Sequence, residues 1–160
     1  MNNLLIVAIL SGVIALVFAV YLSSTIDKVS VGNDKMKEIS SYIHEGAMAF
    51  LMREYKTLVI FIVALFAILS VGINIQTGVC FLVGAAFSTL AGFFGMKVAT
   101  KANVRTANAA KENGMSGALS VAFSGGAVMG MCVVGLGMLG VSALFFALTS
   151  MAVSYTHLTL

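Results

Sequence analysis

GAAFSTLAGFFGMKVATKANVRTANAAK, residues Gly84 to Lys111, passes from an uncharged, small-residue helix into a basic segment without a break. Gly84, Ser88 and Gly92 recur at every fourth position, with Gly95 and Ala99 just beyond. A face of this kind lets a neighbouring helix approach almost backbone to backbone. Lys97, Lys101, Arg105 and Lys111 then follow within a short distance. Such a cluster does not rest in hydrocarbon, and its sign is that of a loop on the cytoplasmic side of a membrane. The stretch therefore marks a membrane boundary, and the remainder of the chain is oriented from it.

Composition agrees. Of the 160 residues 60% are hydrophobic and only 9% charged, and the mean hydropathy is +1.06. An ordinary soluble domain carries roughly 25% charged residues, so this is an integral membrane protein. A hydrocarbon core about 30 Å thick takes roughly 20 helical residues, and four apolar stretches of that order leave no room for a separate soluble domain. The basic residues lie beside these stretches, which speaks for orientation and contact with membrane lipid rather than for nucleic acid. Cys80 and Cys132 stand in apolar segments without metal-ligand spacing, and suggest neither a metal site nor a disulfide.

In chain order, Leu4 to about Leu22 forms a first span. Its one glycine, Gly12, leaves it offering bulk rather than a close-approach face, which places it towards the periphery. It lacks the positive leader and small-residue cleavage site of a secretory signal. Residues Ser23 to Ser41 form a polar loop carrying Asp27, Lys28, Asp34, Lys35, Lys37 and Glu38. From about Met36 a long helix begins outside the hydrocarbon, carries Glu45, Arg53, Glu54 and Lys56, and is uncharged from Thr57 to Ile75. A short turn at Asn74 to Gly78 leads to a third span, Cys80 to about Met96. The basic loop ends at Asn113 and Gly114. Met115 to Met151 would measure about 55 Å as one helix, long for a single span, with Ala118, Ala122, Gly126 and Gly130 as a second small-residue ridge. The fold predicted is all-α, a polytopic transmembrane bundle of four spans. Lys28, Lys35 and Lys37 in one connection and the four cations from Lys97 in another, against none in the turn at Asn74, put the amino terminus outside and loops 23–41 and 97–114 in the cytoplasm.

Three runs carry a resemblance: IHEGAMAFLMREYKTL (Ile43 to Leu58), the opening stretch, and ALSVAFSGGAVMGMCVVGLGMLG (Ala118 to Gly140). In order and spacing the chain resembles the amino-terminal quarter of a membrane-bound pyrophosphatase, a pyrophosphate-energised proton or sodium pump, over about residues 1–150. The resemblance implies a larger fold of about sixteen spans, each of roughly 20 residues, and a homodimer in the cell (plasma) membrane. It implies hydrolysis of magnesium-bound pyrophosphate coupled to export of Na+ or H+, with K+ as a further candidate cofactor beside Mg2+. The family's substrate and magnesium ligands belong to later helices, so no catalytic, metal or substrate-binding residue is carried onto this chain, which is read as a scaffold part, inactive alone. Residues 1–151 supply the first four helices. AVSYTHLTL, Ala152 to Leu160, leaves the family pattern and is read as an aberrant, non-native tail.

The residues agree with a scaffold. Magnesium pyrophosphate needs converging carboxylates, and the six acidic residues are dispersed. Asp27, Asp34, Glu38 and Glu112 read as solvated. Glu45 and Glu54 are better placed, but pairing with Arg53, Lys56 or the basic loop accounts for them. Lys97, Lys101 and Arg105 could attract a phosphate group, yet orientation already explains them. Glu45, Arg53, Lys101 and Arg105 stand as cytoplasmic charged positions with a coupling role, and Gly84, Ser88, Gly92, Gly95, Ala122, Gly126 and Gly130 as helix-packing positions. Ser124, Gly125 and Gly126 lack the GK[ST] of a phosphate loop. His44 has no second imidazole at metal spacing and reads as a surface hydrogen-bonding residue. The rival is a small four-helix assembly protein such as a proteolipid subunit of a rotary ATPase. That reading requires a carboxylate near mid-membrane; the first, third and fourth spans hold neither Asp nor Glu, and Glu54 lies at the edge of the second.

Overall fold

The computed structural model describes residues 2–157, with side chains for 3–149. The reading of 152–160 as an aberrant tail lies outside the residues whose side chains are described. Three helices make up the described residues: α1 (Asn2–Asp27), α2 (Asp34–Gly72) and α3 (Ile75–His157). Each is long and apolar enough to cross a membrane. The all-helical membrane fold is thus present, but as three continuous helices where four spans were expected. The third and fourth spans are the two arms of α3. At 83 residues α3 would measure about 125 Å if straight. It does not run straight, because Gly114 takes φ 68°, ψ −162°, a left-handed conformation that a residue without Cβ adopts at little cost. The chain reverses there and the arms, 75–113 and 115–157, pack antiparallel. A Cβ on Gly95 would lie 2.7 Å from Met129, one on Gly125 2.9 Å from Ala102, and one on Gly140 2.6 Å from Phe87.

Two expected loops shrink. Residues 97–114 were expected as a basic loop, yet the helix continues to Gly114. Between Gly95 and Gly114 there is no glycine or proline, and Ala, Lys and Arg, which dominate the segment, are strong helix formers. Loop 23–41 contracts to 28–33. Ser23 to Asp27 extend α1, and Asn33, extended at φ −80°, ψ 171°, caps α2 by accepting a hydrogen bond from Met36 N at 2.9 Å. Asp34 in the first turn suits the positive end of the helix dipole. Only Ile73 and Asn74 join α2 to α3, and the Asn74 side-chain oxygen accepts from Thr77 N at 2.7 Å.

α3 is the hub. Both α1 and α2 pack on it, and among the described residues they do not pack on each other. α2 runs antiparallel to the first arm, with His44 beside Thr100, Tyr55 beside Thr89 and Ser70 beside Gly78. Among the described residues α1 packs on α3 alone and leaves most of its large side chains exposed, but contrary to expectation it does offer a close-approach face. Gly12 is a close-approach point, where a Cβ would lie 3.0 Å from both Gly135 O and Leu139. Ala15, Ala19 and Ile26 continue the same buried stripe, so a single glycine suffices when the next positions on its face are alanines. The core joins this stripe to Val98 and Ala102 of the first arm and Val128 and Cys132 of the second.

The buried ridge of the second arm is Ala118, Val121, Gly125, Val128, Cys132 and Gly135. It shares only Ala118 with the small-residue ridge seen in the sequence. Ala122, Gly126 and Gly130 are exposed, and space for a Cβ is open at both glycines and at Gly84.

Candidate functional site

The polar groups collect at one end of the bundle, where α1 ends, α2 begins and the arms of α3 turn. α1 stops at Asp27, one turn past its apolar run, which brings that carboxylate to the level of Lys101 and Arg105. Lys101 Nζ donates to the two Asp27 oxygens at 3.2 and 3.1 Å, and Arg105 Nη2 lies 3.5 Å from Oδ1. All three guanidinium nitrogens of Arg105 are engaged. Its Nε donates to Val29 O at 3.1 Å and its Nη1 to Lys101 O at 2.9 Å, and its side chain is only 13% exposed, against 39% for Lys101. The planar fork of arginine suits this work of tying a carboxylate and two carbonyls together.

Buried Asn108 adds a weaker bond to Ser30 O at 3.4 Å. Gly32, at φ 91°, passes so close that a Cβ would lie 2.6 Å from the Asn108 side-chain oxygen. The connection 28–33 is thereby laid down on α3. On the other side His44 Nδ1 meets Thr100 Oγ1 at 3.1 Å, and the Thr100 hydroxyl donates back to Lys97 O at 3.0 Å. A cavity of about 320 Å³ opens here, lined by Lys37, His44, Thr100, Lys101, Arg105 and two serines. Its cations are already engaged, Lys37 by Asp34 at 3.2 Å and the others by Asp27. The arrangement fastens helices; it is not a set of unpaired donors awaiting an anion.

Of the charged positions singled out in the sequence, Lys101 and Arg105 meet in this cluster, whereas Glu45 and Arg53 lie on α2 away from it, both exposed. The expected pairing of Glu45 and Glu54 with Arg53, Lys56 or the basic segment is not formed among the described residues. Asp27, read as a solvated loop residue, takes that place instead. The sequence signal for it was slight: a carboxylate following an apolar run, one helical turn past its end. His44 does make a hydrogen bond, and it does so between helices rather than at a free surface.

The register of α2 also differs from expectation. Tyr55 donates to Thr89 O at 3.0 Å, so the charged turn 53–56 sits beside the uncharged stretch of the first arm and not beyond it. Ser88 and Gly92 line the groove between α2 and this arm, Ser88 exposed and Gly92 facing the Tyr55 hydroxyl, whereas Gly95 is buried against Met129 of the second arm. Ser124 bonds within its own helix, to Ser120 O at 2.8 Å, and Gly125 meets Ala102. Cys80 and Cys132 are free thiols. No three His, Cys, Asp or Glu side chains among the described residues converge as a metal site.

Comparison with known proteins gives one answer. A Clostridium tetani protein provisionally named a K(+)-stimulated pyrophosphate-energized sodium pump is 56% identical over 131 residues, 82% of this chain and 19% of that protein. A K(+)-insensitive pyrophosphate-energized proton pump of Methanosarcina mazei is 43% identical over 149 residues, 91% of this chain and 22% of its own length. A K(+)-stimulated pyrophosphate-energized sodium pump of Thermotoga maritima is 44% identical over 128 residues, 79% of this chain and 18% of its length. The chain thus spans about a fifth of these curated relatives. The family described as inorganic H+ pyrophosphatase matches residues 13–160, which is nearly the whole sequence, and with three membrane-length helices in place the chain belongs to that family of membrane pumps.

Proposed function

We propose that this chain is the helical scaffold at the amino-terminal side of a pyrophosphate-energised cation pump, which in its whole form hydrolyses magnesium pyrophosphate and exports Na+ or H+ across the cell membrane as a homodimer. The observation that carries this is the match to pumps of that name along most of the chain while only about a fifth of their length is covered. In this reading the chain fastens and orients helices, and the chemistry is done elsewhere in the pump.

Mg2+ does not fit the residues present. A hard dication takes several carboxylate or carbonyl oxygens at once. Here Asp27 is neutralised by two cations, Asp34 and Glu38 lie on the outer surface of α2 with lysines, and no three candidate ligands converge among the described residues. The ion's ligands are accordingly assigned to other parts of the pump. The helix-packing role of Gly84, Gly126 and Gly130, where a Cβ would meet nothing within 4 Å among the described residues, is assigned to contacts with those same parts. The cluster around Arg105 sets the position of α1 on the cytoplasmic side, and the amino terminus faces outward.

A chimera tests the reading. The matched 131-residue segment of the Clostridium tetani protein is replaced by that of this chain, and pyrophosphate hydrolysis and Na+ and H+ uptake are measured in inverted vesicles. Hydrolysis coupled to uptake of one of these cations is expected, and this chain expressed alone should hydrolyse nothing. A chimera that inserts normally yet neither hydrolyses nor transports, beside an active parent, overturns the reading.

A further inference from the structure

Two grooves meet on the first arm of α3. One, of about 420 Å³, lies between α2 and that arm; the other, of about 400 Å³, lies between the two arms. They share Ser88, Gly92 and Met129. The walls are mainly Leu, Ile, Phe, Met and Ala, and the first groove contains one carboxylate, that of Glu54. Tyr55 beside it is committed to Thr89 O, whereas Glu54 makes no hydrogen bond or ion pair among the described residues. Arg53 and Lys56 leave the helix about 100° and 200° around the axis from Glu54 and so project to other sides.

The Tyr55–Thr89 bond sets the register of α2 on this arm, and so the level at which the exposed Glu54 side chain leaves its helix. Thr89 stands seven residues before Met96, the last residue of the uncharged stretch, and at 1.5 Å per residue that is about 10 Å inside the boundary marked by Lys97. An ionised carboxylate at that depth is expensive and persists where something neutralises it. Lipid headgroup amines lie above this level, and acyl chains carry no cation. Ala85, Ser88 and Gly92 leave the floor of the groove low enough for a helix backbone to approach.

We propose that the groove seats a further transmembrane helix of the same pump, and that a lysine or arginine on that helix pairs with Glu54. The inference rests on the reading of the chain as part of a larger pump, and three things select the occupant. About four-fifths of each relative's length lies outside the match, the groove has the apolar walls and small-residue floor that a helix needs, and its one carboxylate has no cation beside it among the described residues.

The test uses the full-length chimera. Phe61, an exposed groove residue, is replaced by photoreactive p-benzoylphenylalanine, a change that keeps an aromatic ring, and the cross-linked product is mapped by mass spectrometry. The expected product is an intramolecular link to an apolar helix beyond this segment that bears a Lys or Arg. A link only to lipid or only to a second subunit overturns the proposal.

Glu54→Gln should lower pyrophosphate-driven transport about tenfold or more, since it strands a buried cation. Glu54→Asp should retain most of it. Glu54→Lys should abolish it, and a Lys or Arg to Glu exchange on the cross-linked helix should restore it. Parent-level transport by both Glu54→Gln and Glu54→Lys also overturns the proposal. Failure of the pump reading shows itself separately, as an inserted but inactive unsubstituted chimera beside an active parent, and this proposal falls with it.

Discussion

Arg105 and Lys101 share one carboxylate but hold it in different ways, and the difference is measurable. Lys101 is well exposed and makes a single ion pair; such pairs contribute about 0–1 kcal/mol. Arg105 is nearly buried and also satisfies two backbone carbonyls. Its removal leaves Asp27 half-compensated and takes away the side-chain donation to Val29 O and Lys101 O, a loss of about 1.5–3 kcal/mol on the scale of charge-assisted hydrogen bonds. Arg105→Ala is therefore expected to lower the thermal stability of the detergent-solubilised chimera clearly, and Lys101→Ala hardly at all. A similar contrast holds at glycine. A Cβ on Gly135 would lie 2.8 Å from Leu16 and 3.0 Å from Gly12 O. Gly135→Leu should force α1 off the second arm at a cost of about 1–3 kcal/mol or more, read as a fall in melting temperature and easier proteolysis of the connection 28–33.

At the level of elements, the amphipathic and apolar patterns were legible while the ends and faces were not. Helices at about Leu4, Met36 and Cys80 could be read from runs of apolar residues, because burial in hydrocarbon is written into composition. The helix from Lys97 to Asn113 could not be read from charge, since a basic composition says where a segment lies and not whether it is coiled; its alanines and the lack of a breaker before Gly114 held that information. The buried ridge of the second arm is not legible for a different reason. In a segment dense with glycine and alanine several faces look close-packing, and only the partner's shape, here Ala102 against Gly125 and α1 against Gly135, selects one. The role of Asp27 is not legible in the sequence because its partners, Lys101 and Arg105, are more than seventy residues away. Single-cysteine scanning from Lys97 to Asn113 checks the helix. Labels at Asn103, Ala107 and Ala110 should react readily and those at Ala102, Asn108 and Ala109 slowly, following exposure on α3; uniform reactivity would instead restore a loop.

Across the whole molecule, contacts place the end of α1, the start of α2 and the turn of α3 together, so Lys28, Lys35, Lys37 and the cations from Lys97 onward share one pole. Two separate basic connections thus lie at the same pole, the one proposed to face the cytoplasm. Impermeant thiol reagent applied to intact cells should label a cysteine placed at Asn3 and spare one at Asn103; the opposite pattern reverses the topology. The reversal at Gly114 has a consequence for what surrounds that pole. Because only one residue leaves the helix, the stretch from Lys97 to Asn113 stands as a stalk about 25 Å tall above the hydrocarbon boundary. The negative potential of a lipid surface decays over roughly 8–10 Å at physiological salt. The headgroup layer fills about 5–7 Å of that height, so the tip stands about two such lengths above the charged surface, and anions reaching it meet chiefly the field of the protein's own charged side chains rather than the repulsion of the leaflet below.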